Sequence, residues 1–240
     1  MQRTGNVLRV HFADRKGTFL APLIVLGIVV IVIGLIGAVA TATGTDREAL
    51  WEGMQYNGAV WALLGMGIGI GFATMGQHLS FALGMGITRR EWVIGSGLMF
   101  VIMAASITAI VVIGKIIELA TSGWGMGVRM FDTVHTGTGP WWQTAIQTFL
   151  IALAGMCFCA MIGSVWNRWG KTGLSWLGGV ALILLVLVFG IGIIAPWEQV
   201  LRLLETLMGF GWGVWMSVLA GSTVVSAIVW AILTRRAEVR

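Results

Sequence analysis

Gly84-Met85-Gly86-Ile87-Thr88-Arg89-Arg90-Glu91-Trp92 interrupts an otherwise apolar stretch of the chain. An apolar run from Tyr56 to Gly76 precedes it, and another from Trp92 to Gly114 follows. A helix crossing a bilayer core about 30 Å thick takes roughly 20 mostly apolar residues, each rising about 1.5 Å. At the centre of such a helix Arg89 and Arg90 would each cost about 2.5–3.5 kcal/mol. The stretch therefore reaches the surface, and the runs on either side are read as two separate membrane helices.

Four further runs meet the same criterion, near Phe19 to Thr41, Thr144 to Val165, Leu174 to Ala195 and Trp212 to Leu233. The composition agrees, because 58% of the 240 residues are hydrophobic and 10% charged, against roughly 45–50% and about 25% in soluble domains. No Pro-, Ser- or charge-rich stretch divides the chain, so residues 1–240 read as one membrane domain. The expected fold is all-α and integral to the membrane, with six transmembrane helices.

The net charge of +5 is distributed by side. Arg3, Arg9, Arg15 and Lys16 precede the first span; Arg89 and Arg90 follow the second; Arg168 and Lys171 follow the fourth; Arg235, Arg236 and Arg240 end the chain. Alternate loops instead mix Arg47, Lys115, Arg129 and Arg202 with Asp46, Glu48, Glu52, Glu118, Asp132, Glu198 and Glu205. Short loops that keep Lys and Arg stay in the cytoplasm, which places both termini there. Trp51, Trp92, Trp141, Trp142, Trp166, Trp197 and Trp212 fall at span ends, where an amphipathic ring suits the headgroup layer. Basic residues beside spans are topology signals, so no nucleic-acid partner is expected. A competing reading, cleavage after Ala38 and Ala40 as a signal peptide, would leave five spans, but the first run is longer than a usual signal core.

Motifs for chemistry are sparse. Gly170-Lys171-Thr172 ends like a phosphate-binding loop, but Val165 stands where its first glycine is required, so ATP binding by this chain is not expected. Gly65, Gly67, Gly69 and Gly71 alternate inside a span and not in a strand-to-helix turn. Pairs four apart leave a smooth face for close helix packing. His11 and His78 lie in cytoplasmic segments and His135 in an external loop, so no span histidine is available to activate Ser106, Ser164 or Ser217. Cys157 and Cys159, two apart on a helix, point to nearly opposite sides and read as packing residues. All ten acidic residues fall outside the span centres, which argues against an ion relay. Lys115 and Glu118, three apart at the external end of the third span, are expected to pair at the surface.

Three segments remain. Leu79 to Trp92 reads as a short amphipathic helix, a glycine-assisted turn and a charged re-entry. Pro196 to Met208 is too short to cross, with Val200, Leu201, Leu203, Leu204, Leu207 and Met208 on one helical face and Glu198, Gln199, Arg202, Glu205 and Thr206 on the other. It is expected outside, at the membrane surface before the last span. The N-terminal segment spaces Leu8, Phe12 and Phe19 at helical intervals among basic residues, as an interfacial helix would.

Together these features, over essentially the whole chain, resemble the ABC-2 type permease family, bacterial exporters with six spans per subunit. The resemblance rests on the basic N-terminal segment, the Gly84–Glu91 stretch and the amphipathic helix before the last span. It implies a plasma-membrane permease that exports a hydrophobic or amphiphilic drug, peptide or lipid. It also implies that Thr88, Arg89, Arg90 and Glu91 form a coupling element docking on a separate ABC ATPase subunit, where ATP and Mg are held. This chain itself is then not an enzyme and needs no cofactor. Two permease copies, or a copy and a paralogue, would pair in the lipid bilayer. The alternative is a non-transporting membrane sensor or assembly subunit of a multi-protein complex.

Overall fold

The computed structural model describes residues 7–9, 11 and 20–236. Among them all regular structure is helical: α1 (Ala21–Ala42), α2 (Arg47–Met54), α3 (Val60–Ala73), α4 (Leu79–Gly84), α5 (Arg89–Ala120), α6 (Trp141–Ile194), α7 (Trp197–Met208) and α8 (Trp212–Arg236). π turns at Thr74–His78 and Gly123–Gly127 follow α3 and α5. Residues 7–9 and 11 are helical too, but Phe12 and Phe19 of the expected interfacial helix lie outside the described residues.

Four helices are long and apolar enough to cross a membrane: Pro22–Ala42, Arg89–Ala120, Trp141–Gly190 and Trp212–Arg235. The other two expected spans take a different form. The second is the 14-residue α3, carried on by the π turn into α4. Its four glycines weaken the helix intrinsically, and the Thr74 hydroxyl bonds back to the Ile70 carbonyl at 2.7 Å just where the regular helix stops. The fourth and fifth runs form the single element α6, broken only at Gly170, whose φ of 62° and ψ of −145° suit no residue with a side chain.

Helix directions follow from contacts at the two ends. Gln147, near the start of α6, accepts a hydrogen bond at 3.1 Å from the Trp212 indole at the start of α8. Ser164 and Thr234 meet at 3.2 Å near the other end of the same pair, so α8 runs parallel to limb 141–169. From Gln147 to Gly170 the chain climbs ~35 Å. Had limb 171–194 continued onward, its end would stand ~70 Å from Trp212, while the remaining linker and α7 reach only ~40 Å. Limb 171–194 therefore turns back at Gly170. The turn falls between Arg168 and Lys171.

The core lies between α3, α5 and limb 141–169. Leu63 and Leu64 of α3 share one buried cluster with Met99, Phe100, Met103, Ala104, Ile107 and Val111 of α5 and Ala152, Met156 and Ala160 of α6. The three- and four-residue spacing along α5 places these side chains on one broad face. Limb 171–194 sits at the edge, and none of its described side chains is buried. α7 forms as expected, and Leu201, Leu203 and Leu207 of its apolar face stay exposed, as does the start of its polar face at Glu198. Val200 is half-buried, and the Leu204 and Met208 side chains fall outside the described ones.

The expected glycine face divides in two. Gly67 and Gly71 are buried: a Cβ at Gly67 would run into Ile107 of α5, and one at Gly71 would overlap the backbone carbonyl of Met156. Gly155 and Gly163 of α6 answer them against Ile68 and Met75. Gly65 and Gly69, in contrast, are exposed, and a Cβ at either would meet none of the described residues, so that pair takes no part in packing within the described chain. Residues two apart on a helix differ by about 200° in direction, and only one pair can face the core. Gly71→Ala should therefore destabilise the protein by about 1–3 kcal/mol through overpacking, while Gly69→Ala, with open space for its methyl group, should stabilise it by up to about 1 kcal/mol through helix propensity. Unfolding midpoints in one detergent would measure both.

Candidate functional site

The stretch opened by Gly84 folds as a helix stop joined directly to a helix start. Ile87 N–H donates to the Ala82 carbonyl at 3.1 Å and Gly86 N–H to the Leu83 carbonyl at 3.0 Å. With Gly86 at a φ of 80°, this is a Schellman stop, open at low cost only to glycine. Thr88 then caps α5. Its hydroxyl accepts from Glu91 N–H at 3.3 Å, and the Glu91 carboxylate accepts from Thr88 N–H at 3.0 Å. This reciprocal capping box fixes the corner. Of the proposed coupling residues, Thr88 and Glu91 thus shape the turn. The Arg89 guanidinium donates to the Arg235 carbonyl at 3.1 Å, tying the corner to the last helix, and Arg90 points outward, exposed.

Arg9, Arg168 and Lys171 belong to the same end of the bundle as the corner, which we call the basic end. Beneath the corner, Met75 collects contacts from two elements, α6 and α8. Its sulfur accepts from the Trp230 indole at 3.1 Å and the Thr234 hydroxyl at 3.5 Å, and its carbonyl accepts from the Asn167 amide. Beside it, buried His11 meets Ser96 Oγ through Nε2 at 3.0 Å and packs its ring 4.7 Å from Trp92 and 5.8 Å from His78. Val7 fills the space above Gly95, where a Cβ would collide with it. The N-terminal segment is thereby seated on the first turns of α5. Burial, and then the neighbouring His78, lower the pKa of His11 to about 4, and burial lowers that of His78. His11 thus engages Ser96, rather than Ser106, Ser164 or Ser217. Both partners are buried and no carboxylate among the described residues backs Nδ1, so the pair lacks the access and orientation of a nucleophile with its base.

The opposite, acidic end holds a denser network, and here the expected surface pair of Lys115 and Glu118 is corrected. Both side chains are buried, at 2% and 0% exposure, and each has other partners. Lys115 Nζ lies 2.9 Å from Asp132 Oδ1 and donates to the carbonyls of Gly137 and Gly139 and to Thr144 Oγ1 at 2.7–2.8 Å. Glu118 accepts from the backbone N–H groups of Met130, Phe131 and Asp132 at 2.8–3.0 Å, and from the Trp124 indole at 3.3 Å. Arg129 completes the set, 2.8 Å from Asp132 Oδ2 with its guanidinium 4.2 Å above the Trp51 ring. Two cations balance two anions. A helical spacing of three suits a solvated pair, and sequence reading had no sign that loop 123–140 folds back over both groups. The nearest signal was Arg129 and Asp132 in a loop already rich in glycine.

The loop is pinned further by Asn57, whose amide donates to the Arg129 carbonyl at 2.5 Å, and by Val134 N–H, which donates to the Gln55 carbonyl at 3.0 Å. The connection 47–57 and loop 123–140 together cover the acidic end. No group of three or more His, Cys, Asp or Glu poised for a metal occurs among the described residues. Comparison of the chain with protein-family models, curated proteins and solved structures finds no match.

Lys115→Met would strand the buried Asp132 carboxylate with Arg129 as its remaining ion-pair partner, and should cost about 3–5 kcal/mol, read as a fall in denaturant midpoint. A second expectation concerns acid. The folded chain holds His11 near 4 while an unfolded histidine titrates near 6.5, so the unfolded chain takes up the proton first. The stability His11 contributes is complete above pH 6.5 and drains as pH falls toward 4. The parent should thus lose stability relative to His11→Gln across that window, and parallel pH curves for the two proteins would contradict the assignment.

Proposed function

We propose that the chain is the permease subunit of an ATP-binding cassette exporter in the bacterial plasma membrane. On this reading it crosses the membrane six times, the four long helices being joined by α3 with its continuation and by the division of α6 at Gly170. Both termini are cytoplasmic, and the basic end faces the cytoplasm. The observation that carries the reading is the corner at residues 84–91. A glycine stop and a capping box hold it rigid, it offers an exposed arginine, and it is tied through Arg89 to the last helix.

A partner ATPase would bind this corner through acidic groups facing Arg90 and Arg89. Closing of two such ATPases on ATP would then displace the helix ends joined there, since a capped corner moves as a body and does not bend. Two copies of the chain, or this chain and a paralogue, complete the transporter. The alternating arrangement shifts population when ATP binds one state better than the other. Extensive apolar helix surface, as on limb 171–194, suits lipid and an amphiphilic cargo. α7, with Leu201, Leu203 and Leu207 of its apolar face exposed, would lie in the outer interface.

The test is Arg89→Glu with Arg90→Glu in the membrane-reconstituted complex. Insertion and yield should persist, while substrate-stimulated ATP hydrolysis falls to the basal rate of the ATPase. Unchanged transport by this variant would remove the coupling assignment. Recovery of the tagged chain from mild detergent without any phosphate-loop ATPase would favour the sensor or assembly alternative.

A further inference from the structure

The reversal of α6 at Gly170 leaves a groove in the crook between its two limbs. Gly173, on the returning limb, lies so close to the other that a Cβ there would stand 2.5 Å from Trp169 Cβ and 3.3 Å from Val165 Cγ1. Val165 and Trp169 on one limb, with Gly173, Trp176, Leu177 and Val180 on the other, line a cavity of about 620 Å³. Spacings of three, four and seven residues from Gly173 bring the second set onto one helical face. The lining is apolar apart from Thr172. It is also open, with Trp176 73% and Trp169 46% exposed.

Charge is concentrated at one end of this groove. Arg168 and Lys171 flank the reversal, and the Arg168 guanidinium lies 4.7 Å above the centre of the Trp169 ring, which holds it at the rim. Neither side chain makes an ion pair or hydrogen bond with the described residues. Of the described carboxylates Glu91 alone belongs to this end, and the Thr88 cap engages it. Two unpaired cations above an open apolar groove complement a ligand with an anionic head and a hydrocarbon tail.

We propose that the groove at residues 165–180 seats one anionic phospholipid, its phosphate held by Arg168 and Lys171 and an acyl chain lying against Trp169, Trp176 and Val180. Indole rings suit the layer between headgroups and acyl chains, and basic residues at a membrane surface attract anionic lipid. The crook gives that attraction a fixed position. A zwitterionic lipid would bring a third cation to a rim that already carries two. A second copy of the chain, docked about a two-fold axis through this groove, would oppose its own Arg168 and Lys171 to the same pair. A seated lipid braces limb 171–194, none of whose described side chains is buried within the chain. The proposal rests on the chain lying in a bilayer and not on an ATPase partner.

The full chain, purified in mild detergent and supplied with equal amounts of phosphatidylglycerol and phosphatidylcholine, is read by native mass spectrometry. The parent should retain one phosphatidylglycerol per chain in preference to phosphatidylcholine. Arg168→Gln and Lys171→Gln should each weaken that retention about fivefold, while Lys171→Arg should keep it. Arg90→Gln, which removes an exposed charge from the same end, should leave it unchanged, and Trp176→Ala should release the lipid. The preference is measured on the parent, so it decides even where a variant fails to fold. Equal retention of the two lipids, an equal loss in Arg90→Gln, or a dimer that closes the groove would overturn the site. A chain that stays in solution without detergent would overturn the membrane placement, and the site with it.

Discussion

A polar group in an apolar setting is costly unless it finds a partner within the chain, and the packing at both ends of this bundle turns on that constraint. Helices satisfy their own backbone groups, which is why the described regular structure is helical. Charges have no such local solution. Along α5 the charged residues are confined to the two ends, Arg89, Arg90 and Glu91 at one and Lys115 and Glu118 at the other, leaving the length between them apolar. The helix that contributes most to the core thus also carries the polar groups that organise both ends.

Those ends are organised by different chemistry. At the acidic end, Lys115 and Glu118 act on loop 123–140 from one turn of α5. One gathers carbonyls and a carboxylate, the other gathers backbone N–H groups. Desolvating charges is expensive, and the ion pairs and hydrogen bonds gathered here offset that cost, although Arg129 Nε is left without a partner. The result specifies one loop conformation. At the basic end the partners are rings, hydroxyls and a thioether, which hold helices together without buried ion pairs among the described groups. An end assembled from neutral contacts can be rearranged at lower cost than one assembled from charge pairs, which fits the permease reading in which the basic end receives the ATPase.

Close packing adds the second restriction. Limb 141–169 approaches α3 and the π turn after it where Gly71, Gly155 and Gly163 leave no side chain in the way, and Gly67 does the same for Ile107 of α5. Gly65 and Gly69 share the composition of that stripe but not its role, since their direction on the helix turns them outward. Limb 171–194, equally apolar, finds no such seam and stays at the edge.

The sequence by itself determined the helical class, the apolar runs, the positions where the chain must leave them and the amphipathic helix at Trp197–Met208. All of these rest on local signals: hydropathy over about 20 residues, the Arg89–Arg90 interruption, the glycine-assisted turn before it and the helical periodicity of Val200–Met208. The chain reversal at Gly170 was foreshadowed in the same way by Arg168 and Lys171. What only the tertiary structure decided is which partners the polar side chains choose. Lys115 and Glu118 sit one turn apart, yet each binds loop 123–140 and not the other, Lys115 reaching as far as Gly139 and Glu118 as far as Asp132. His11 finds Ser96 and His78 across most of the first hundred residues. Such pairings depend on how a loop folds over a helix end, and a periodicity read along one segment carries no information about the segment that will cover it.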